Sequence, residues 1–474
     1  MRSAIIEALP SDTSTHGKIP ERKSVYVPPS HLRALRSECY LVIGGRGVGK
    51  TFWSSALASV EIRKMIGHSV SELARAEVHS GFGEPSNLDF YPNSRVFDRL
   101  LLQGFKAYDV WETVLARWVA KVLSAEIPGN DWGDTVKWVR NQPESFSRML
   151  EEANAKFEEK GKIGMIVFDA LDRVSFDWQT MDDIVRDLLR AVLSLKGFSN
   201  LHAKVFLRED QFAGRRVTDF PDASKLLATR IELTWSPQDL HGLLWQYLCN
   251  GDGNPGEILR DTYQNAVGSS LSQPVEGVWT ISDSVKRDTG AQRTLFTEIT
   301  GQWMGRDRRR GVPYTWTVSH LADGRGRISP RSFLAAIRGA AEDSRERYPD
   351  HVYPLHYESI KRGVQKPSEI RVSELAEDYP WVRTVMGPLH GLSVPCGFDI
   401  IEQRWKEDWG KSIPDVQPGL PPEHHEQGWV GIRQDLEGLG IFQPMSDRRV
   451  NMPDLYRVGF GLGRRGGVKP VRNS

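Results

Sequence analysis

The stretch RSECYLVIGGRGVGKTFW, residues 36–53, runs from an apolar segment into a glycine-rich turn, a lysine and a threonine. A plain turn between a strand and a helix needs one or two glycines and a capping residue. Tyr40–Ile43 is short, apolar and partly β-branched, the pattern of a buried strand, and Thr51–Val60 carries the small and apolar residues of a helix. Between them, Gly44 followed after four residues by Gly49, Lys50 and Thr51 satisfies GxxxxGK[ST], the phosphate-binding loop pattern. Glycines let backbone N–H groups turn inward around a phosphate, and the start of the helix adds partial positive charge aimed at the same anion. The candidate nucleotide-binding set is therefore Gly44, Gly45, Arg46, Gly47, Val48, Gly49, Lys50, Thr51 and Phe52. Lys50 would reach the β and γ phosphates, and the Thr51 hydroxyl would coordinate magnesium.

A second metal-holding group is expected, and KIGMIVFDALDR, residues 162–173, offers one. Ile163–Phe168 reads as a buried strand with Asp169 at its C-terminal end, where open α/β sheets place their ligands. Asp169 is the candidate magnesium ligand, and Asp172 either polarises the attacking water or caps a helix. Apolar residues at helical spacing from Met181 to Leu195 predict a crossover helix over 179–196, leading to a third strand at Lys204–Leu207. Arg208 emerges from that strand and could sense the γ phosphate or form a surface pair. A fourth strand is expected at Thr229–Thr234.

This order of elements, closed by the helix of WSPQDLHGLLWQYL, resembles the additional-strand class of P-loop ATPases on the AAA+ and STAND side. FDALDR is similar to the DDLDR form of the metal-binding motif in KAP ATPases, a STAND-related group that includes phage-exclusion proteins. The resemblance covers residues 36–345 and implies an α/β core with the sensor strand between the two motif strands, a helical lid, and ATP with Mg2+ as cofactors. Ser329 and Pro330 start a helix with an apolar stripe through Phe333, Leu334, Ile337 and Ala341. The resemblance makes Arg331 a second sensor of the γ phosphate; a first-turn surface arginine is the other reading. Two features depart from the family. The distance from Lys50 to Asp169 implies an insertion over about 65–150, where KAP proteins commonly carry membrane helices, yet no window here approaches ~18 consecutive apolar residues. Its stripe of Trp111, Val114, Leu115, Trp118, Val119 and Val122 is core or a partner contact. Arg173 stands where STAND relatives often have an acid.

At 474 residues the chain has room for two to four domains. Cys39, Cys249 and Cys396 lack metal-ligand spacing and point to a reducing compartment. The N-terminal stretch has no signal-peptide core and reads as a partly disordered arm, so a cytoplasmic protein is expected. Net charge is +1, but residues 442–474 carry seven Lys or Arg against two Asp. With WVGIRQDLEGLGIFQPMSDRRV laid out as helix, turn and hairpin, this predicts a winged-helix-like module joined by the Pro-rich SIPDVQPGLPPE. His424 and His425 have no nearby ligand set, so a metal site is rejected there.

The expected organisation is an N-terminal arm (1–35), an ATPase core (36–240), a helical lid (241–345) and a winged-helix-like domain (346–474). No kinase, helicase or nuclease constellation accompanies the core. The expected function is a Mg-dependent ATPase that drives a conformational or assembly switch, as a homo-oligomer or with a separate effector protein, and without membrane association. The family resemblance implies a setting in prokaryotic antiviral defence. The alternative is a nucleotide-regulated protein that binds DNA through residues 442–474 with little turnover.

Overall fold

The computed structural model describes residues 1–11, 17–83, 86–129, 131–171, 174, 178–213, 215–275, 277–410, 421–465 and 467–470. The chain divides into two units, Thr15–Leu233 and Met1–Ser14 with Thr234–Ser474.

The first unit is built on a parallel sheet of β1 (Leu41–Gly44), β2 (Ala76–Phe82), β3 (Ile163–Phe168), β4 (Leu201–Arg208) and β5 (Ile231–Glu232), in the order β2-β3-β4-β1-β5. Strands β1 and β3 are buried along their whole length. That is why they read as unbroken apolar runs, as strands covered on both faces do. The sensor strand β4 pairs with β1 on one side and β3 on the other, as the resemblance implied. The strand β2 departs from expectation. Residues 76–82 fall inside the stretch read as a helical insertion, yet they form the edge of this sheet. An edge strand needs no continuous apolar run, and AEVHSGF keeps Glu77, His79 and Ser80 at least partly exposed. The fourth expected strand is also shorter than 229–234.

The helix Ala107–Leu123 buries both its tryptophans, which settles the choice between core and partner contact in favour of core. The Trp111 indole N–H donates to the Ile184 carbonyl on the crossover helix Trp178–Leu193 at 3.0 Å. Its ring meets Phe168 of β3 edge-on at 5.7 Å between centroids. Trp111→Ala opens a cavity between helix and sheet and leaves that carbonyl without its donor. We expect a loss of about 3–5 kcal/mol in unfolding free energy, read from urea denaturation.

Lys204 on β4 is completely buried, and its ammonium donates to the carbonyls of Ala34 (2.7 Å), Arg36 (2.9 Å) and Cys39 (2.7 Å). Burial pulls its pKa down to about 8. The three bonds tie the segment before β1 to the middle of the sheet. Lys204→Met retains the stem but abandons three acceptors, so it is expected to cost about 3 kcal/mol or more by the same measurement.

In the second unit, residues 2–8 are a helix rather than a disordered arm. Ala4, Ile5, Ile6 and Leu9 are buried in this unit, and Arg338 on the helix Pro330–Arg347 donates to the Ile6 carbonyl at 2.6 Å and to that of Leu9. The Arg2 guanidinium caps the segment after that helix through the carbonyls of Pro349, His351, Tyr353 and Pro354. Five apolar-rich residues suffice for a helix once such partners exist; the helical stability comes from packing. Helices follow one another from Pro237 to Arg347, over the stretch expected as a lid at 241–345. Beyond them, the helix Gly428–Gly438 leads into a hairpin of Gln443–Pro444 with Val450–Asn451, which Cys396 extends through paired backbone bonds with Val450. Most of the Pro-rich connector, residues 411–420, lies outside the described residues.

Among the described residues no helix is long and apolar enough to cross a membrane.

Candidate functional site

Register brings the C-terminal ends of β1, β3 and β4 level with one another. Gly44 of β1 sits opposite Arg208 of β4, and Phe168 of β3 opposite Val205 of β4. Asp169, one residue beyond, therefore lies level with Phe206, next to the strand end where the loop begins. It is 4% exposed, and its backbone N–H donates to the Phe82 carbonyl of β2 at 3.0 Å. Ala170 then turns through φ 56°, which carries the chain away from the sheet and leaves Asp169 at its lip.

The loop turns on Gly47 (φ 76°) and Gly49 (φ 102°), a region of backbone space that side chains disfavour. Gly49 starts the helix Lys50–Ala58 without a side-chain cap, so the helix presents its N-terminal amides toward the loop. The Lys50 ammonium donates to the carbonyls of Gly44 (2.9 Å) and Gly45 (2.7 Å), drawing the strand end and the helix start together. Val48 is buried and anchors the loop, whereas Arg46 and Thr51 are partly exposed. On the far side of the helix, Trp53 donates from its indole N–H to His31 Nδ1 at 3.0 Å, and both are buried. That bond fastens the VYVPPSHLRAL segment to the loop helix.

At the end of β4, Arg208 is in an ion pair with Asp210 (2.9 Å), and its N–H donates to the Gln211 side chain at 3.1 Å. Both alternatives for Arg208 thus remain: it lies at the ligand edge of the sheet, and it holds a local partner. Glu209, the residue between them, escaped the sequence reading. Its Oε1 lies where a side chain on Gly45 would touch it, 3.6 Å from the position of a Cβ there. An acidic residue directly after the sensor strand was the available signal. Asp172 and Arg173 lie outside the described residues.

Arg331 belongs to the second unit. It stands in the first turn of Pro330–Arg347 and forms an ion pair with Glu374, whose other oxygen is 3.6 Å from Arg371. Glu374 thereby offsets the unfavourable placement of a cation at a helix start.

The basic tail also sorts itself. Arg457 is fully buried and donates to Asp454 (2.8 Å) and to the carbonyls of Leu462 (2.8 Å) and Val468 (2.6 Å). Arg449 pairs with Asp447 at 2.7 Å, and Arg464 approaches Asp454 at 3.9 Å. Arg472 lies outside the described residues. Arg448, Arg465 and Lys469 are left exposed to solvent. Finally, the premise that His424 has no ligand set fails in three dimensions: Asp435, eleven positions on, contacts it, and Glu423 adjoins it.

A strand inserted between the loop strand and the acidic strand, with a phosphate-loop pattern at the strand ends, gives the first unit the α/β fold of the additional-strand P-loop class; the second unit is helical and ends in a helix and strand module. No family model and no curated protein matches the chain. Among solved structures it is similar to Cdc6p from Pyrobaculum aerophilum, at 12% identity and TM-score 0.32 over 96% of this chain and 94% of that one. It is also similar to the ORC1 protein of Aeropyrum pernix in complex with DNA (14%, TM-score 0.34, 92% and 91%). The ORC2 protein of the same organism gives 11% and TM-score 0.31 over 91% and 93%. Similarity at these values extends no ligand or activity to this chain.

Proposed function

We propose that this protein is a magnesium-dependent ATPase whose nucleotide state sets the conformation of the second unit. The observation that supports it is the meeting, at the strand ends, of a helix start turned on Gly47 and Gly49 with the buried Asp169. A glycine-turned helix start and a lysine suit a polyphosphate; a hydroxyl and a carboxylate suit magnesium. Lys50 and the loop amides would hold the phosphates, and Thr51 with Asp169 the metal. Held by Thr51 and Asp169, magnesium would supply positive charge to offset the negative charge of the phosphates. To hold a phosphate, Lys50 would exchange the Gly44 and Gly45 carbonyls for phosphate oxygens. Arg208 stays the core's candidate for the γ phosphate, and Asp172 the candidate that takes the proton of the attacking water. Arg331 is the lid's candidate sensor, and to act as one it must leave Glu374. Phosphate release from ATP by the purified chain, present with magnesium and lost with chelator, is the direct test; an inactive wild-type chain that still binds ATP would remove the turnover part of this reading.

The three outward cations of the C-terminal module favour a second reading, a nucleotide-regulated contact with DNA. Because four of the seven basic residues are internal, engaged or outside the described residues, the contact would be small. We expect duplex DNA affinity to fall with salt at a log–log slope of about −3. Arg448→Ala with Arg465→Ala would flatten it by about 2. A slope near −6, or one that the double substitution leaves unchanged, would place the contact elsewhere.

A further inference from the structure

Among the described residues, Glu423, His424 and Asp435 form the one group of three metal-capable side chains, with a ligand atom of each within 4.8 Å of the others. The group is pre-arranged by backbone. The His424 N–H donates to Asp435 Oδ2 at 3.0 Å, and the His424 ring meets Asp435 Oδ1 through Nδ1 at 2.6 Å. The turn can lie this close to the helix Gly428–Gly438 because position 431 is glycine; a Cβ there would fall 1.9 Å from the His424 carbonyl oxygen. On the other ring nitrogen, the Gln434 amide lies 3.2 Å from Nε2. Exposure is graded: Asp435 is buried, His424 intermediate, and Glu423 exposed with no hydrogen bond or ion pair to the described residues. A strongly anionic pair of carboxylates thus flanks one imidazole.

We propose that Glu423, His424 and Asp435 bind a divalent transition-metal ion, zinc being the best match, and that the ion fastens the turn at 423–427 to the helix Gly428–Gly438. One nitrogen and two oxygen donors suit zinc, and water completes a four-coordinate shell on the exposed side. The proton between His424 and Asp435 is what the metal displaces. Ligand atoms around tetrahedral zinc stand about 3.3 Å apart, so the 2.6 Å contact opens slightly while the Glu423 carboxylate closes in. Both shifts are within the reach of side-chain rotation. This site is independent of the nucleotide loop.

The test is calorimetric titration of the chelator-treated full chain with zinc chloride, without nucleotide or magnesium. One zinc per chain is expected, with a raised thermal unfolding midpoint. Glu423→Ala, which removes an exposed side chain without a described partner and therefore leaves the fold intact, should weaken binding at least about tenfold. His424→Ala should abolish it. Cobalt substitution should give ligand-field bands without thiolate charge transfer, separating this site from the three cysteines. Failure of the wild-type chain to take up zinc, equal zinc affinity in all three chains, or a thiolate spectrum would each overturn the assignment.

Discussion

In the Lys50→Ala chain, ATP affinity measured by calorimetry is expected to fall at least about a hundredfold. Each charge-assisted bond from an ammonium to a phosphate oxygen is worth about 1.5–3 kcal/mol, and Lys50 is placed to make two. Some stability should go with it. A surface cation costs little to remove, but this one donates to the Gly44 and Gly45 carbonyls, so about 1–2 kcal/mol is expected. That loss is small enough for the sheet to persist, which circular dichroism checks. Equal ATP affinity in a folded Lys50→Ala chain would mean that the loop is a structural turn and that the phosphate site lies elsewhere.

The second large effect is the separation of two carboxylates. Asp169→Ala should abolish the magnesium dependence of ATP binding, because it removes the acidic group at the lip of β3 that can hold the cation. Asp172→Asn should bind magnesium and ATP as the wild type does and turn over at least about a hundredfold more slowly, since general-base assistance contributes 10²–10⁴-fold. Wild-type turnover in Asp172→Asn would reduce that residue to a helix cap. Unaltered magnesium dependence in Asp169→Ala would break the pairing of loop and acidic strand on which the proposed ATPase rests.

What the sequence disclosed was what chemistry writes locally. A phosphate loop is a contiguous pattern, and the central strands of a doubly covered parallel sheet are largely apolar, so β1, β3 and, despite the buried Lys204, β4 could be read directly. The strand β2 could not, because an edge with a half-exposed face imposes no such run. Helix 2–8 was hidden for another reason: its apolar patch is too short to signal a helix, and its stability comes from the surface of Pro330–Arg347 and from Arg338. The sorting of the basic tail was invisible too. Nothing in the chain's order distinguishes the fully buried Arg457 from the exposed Arg448. His424 and Asp435 meet because a turn folds back on the following helix, a contact that local ligand spacing does not reveal.

Arg331 illustrates how the proposed switch would be set. Its ion pair with Glu374 supplies a resting partner, and a competing anion has to outbid that pair by only a few kcal/mol to move the equilibrium by tenfold or more. Hydrogen exchange over residues 330–347 of the full-length chain, compared between magnesium with a non-hydrolysable ATP analogue and magnesium with ADP, tests the claim that the second unit responds to the γ phosphate. Slower exchange with the analogue than with ADP, absent in the Lys50→Ala chain, is the predicted result; identical exchange in the two nucleotide states of the wild type would contradict it.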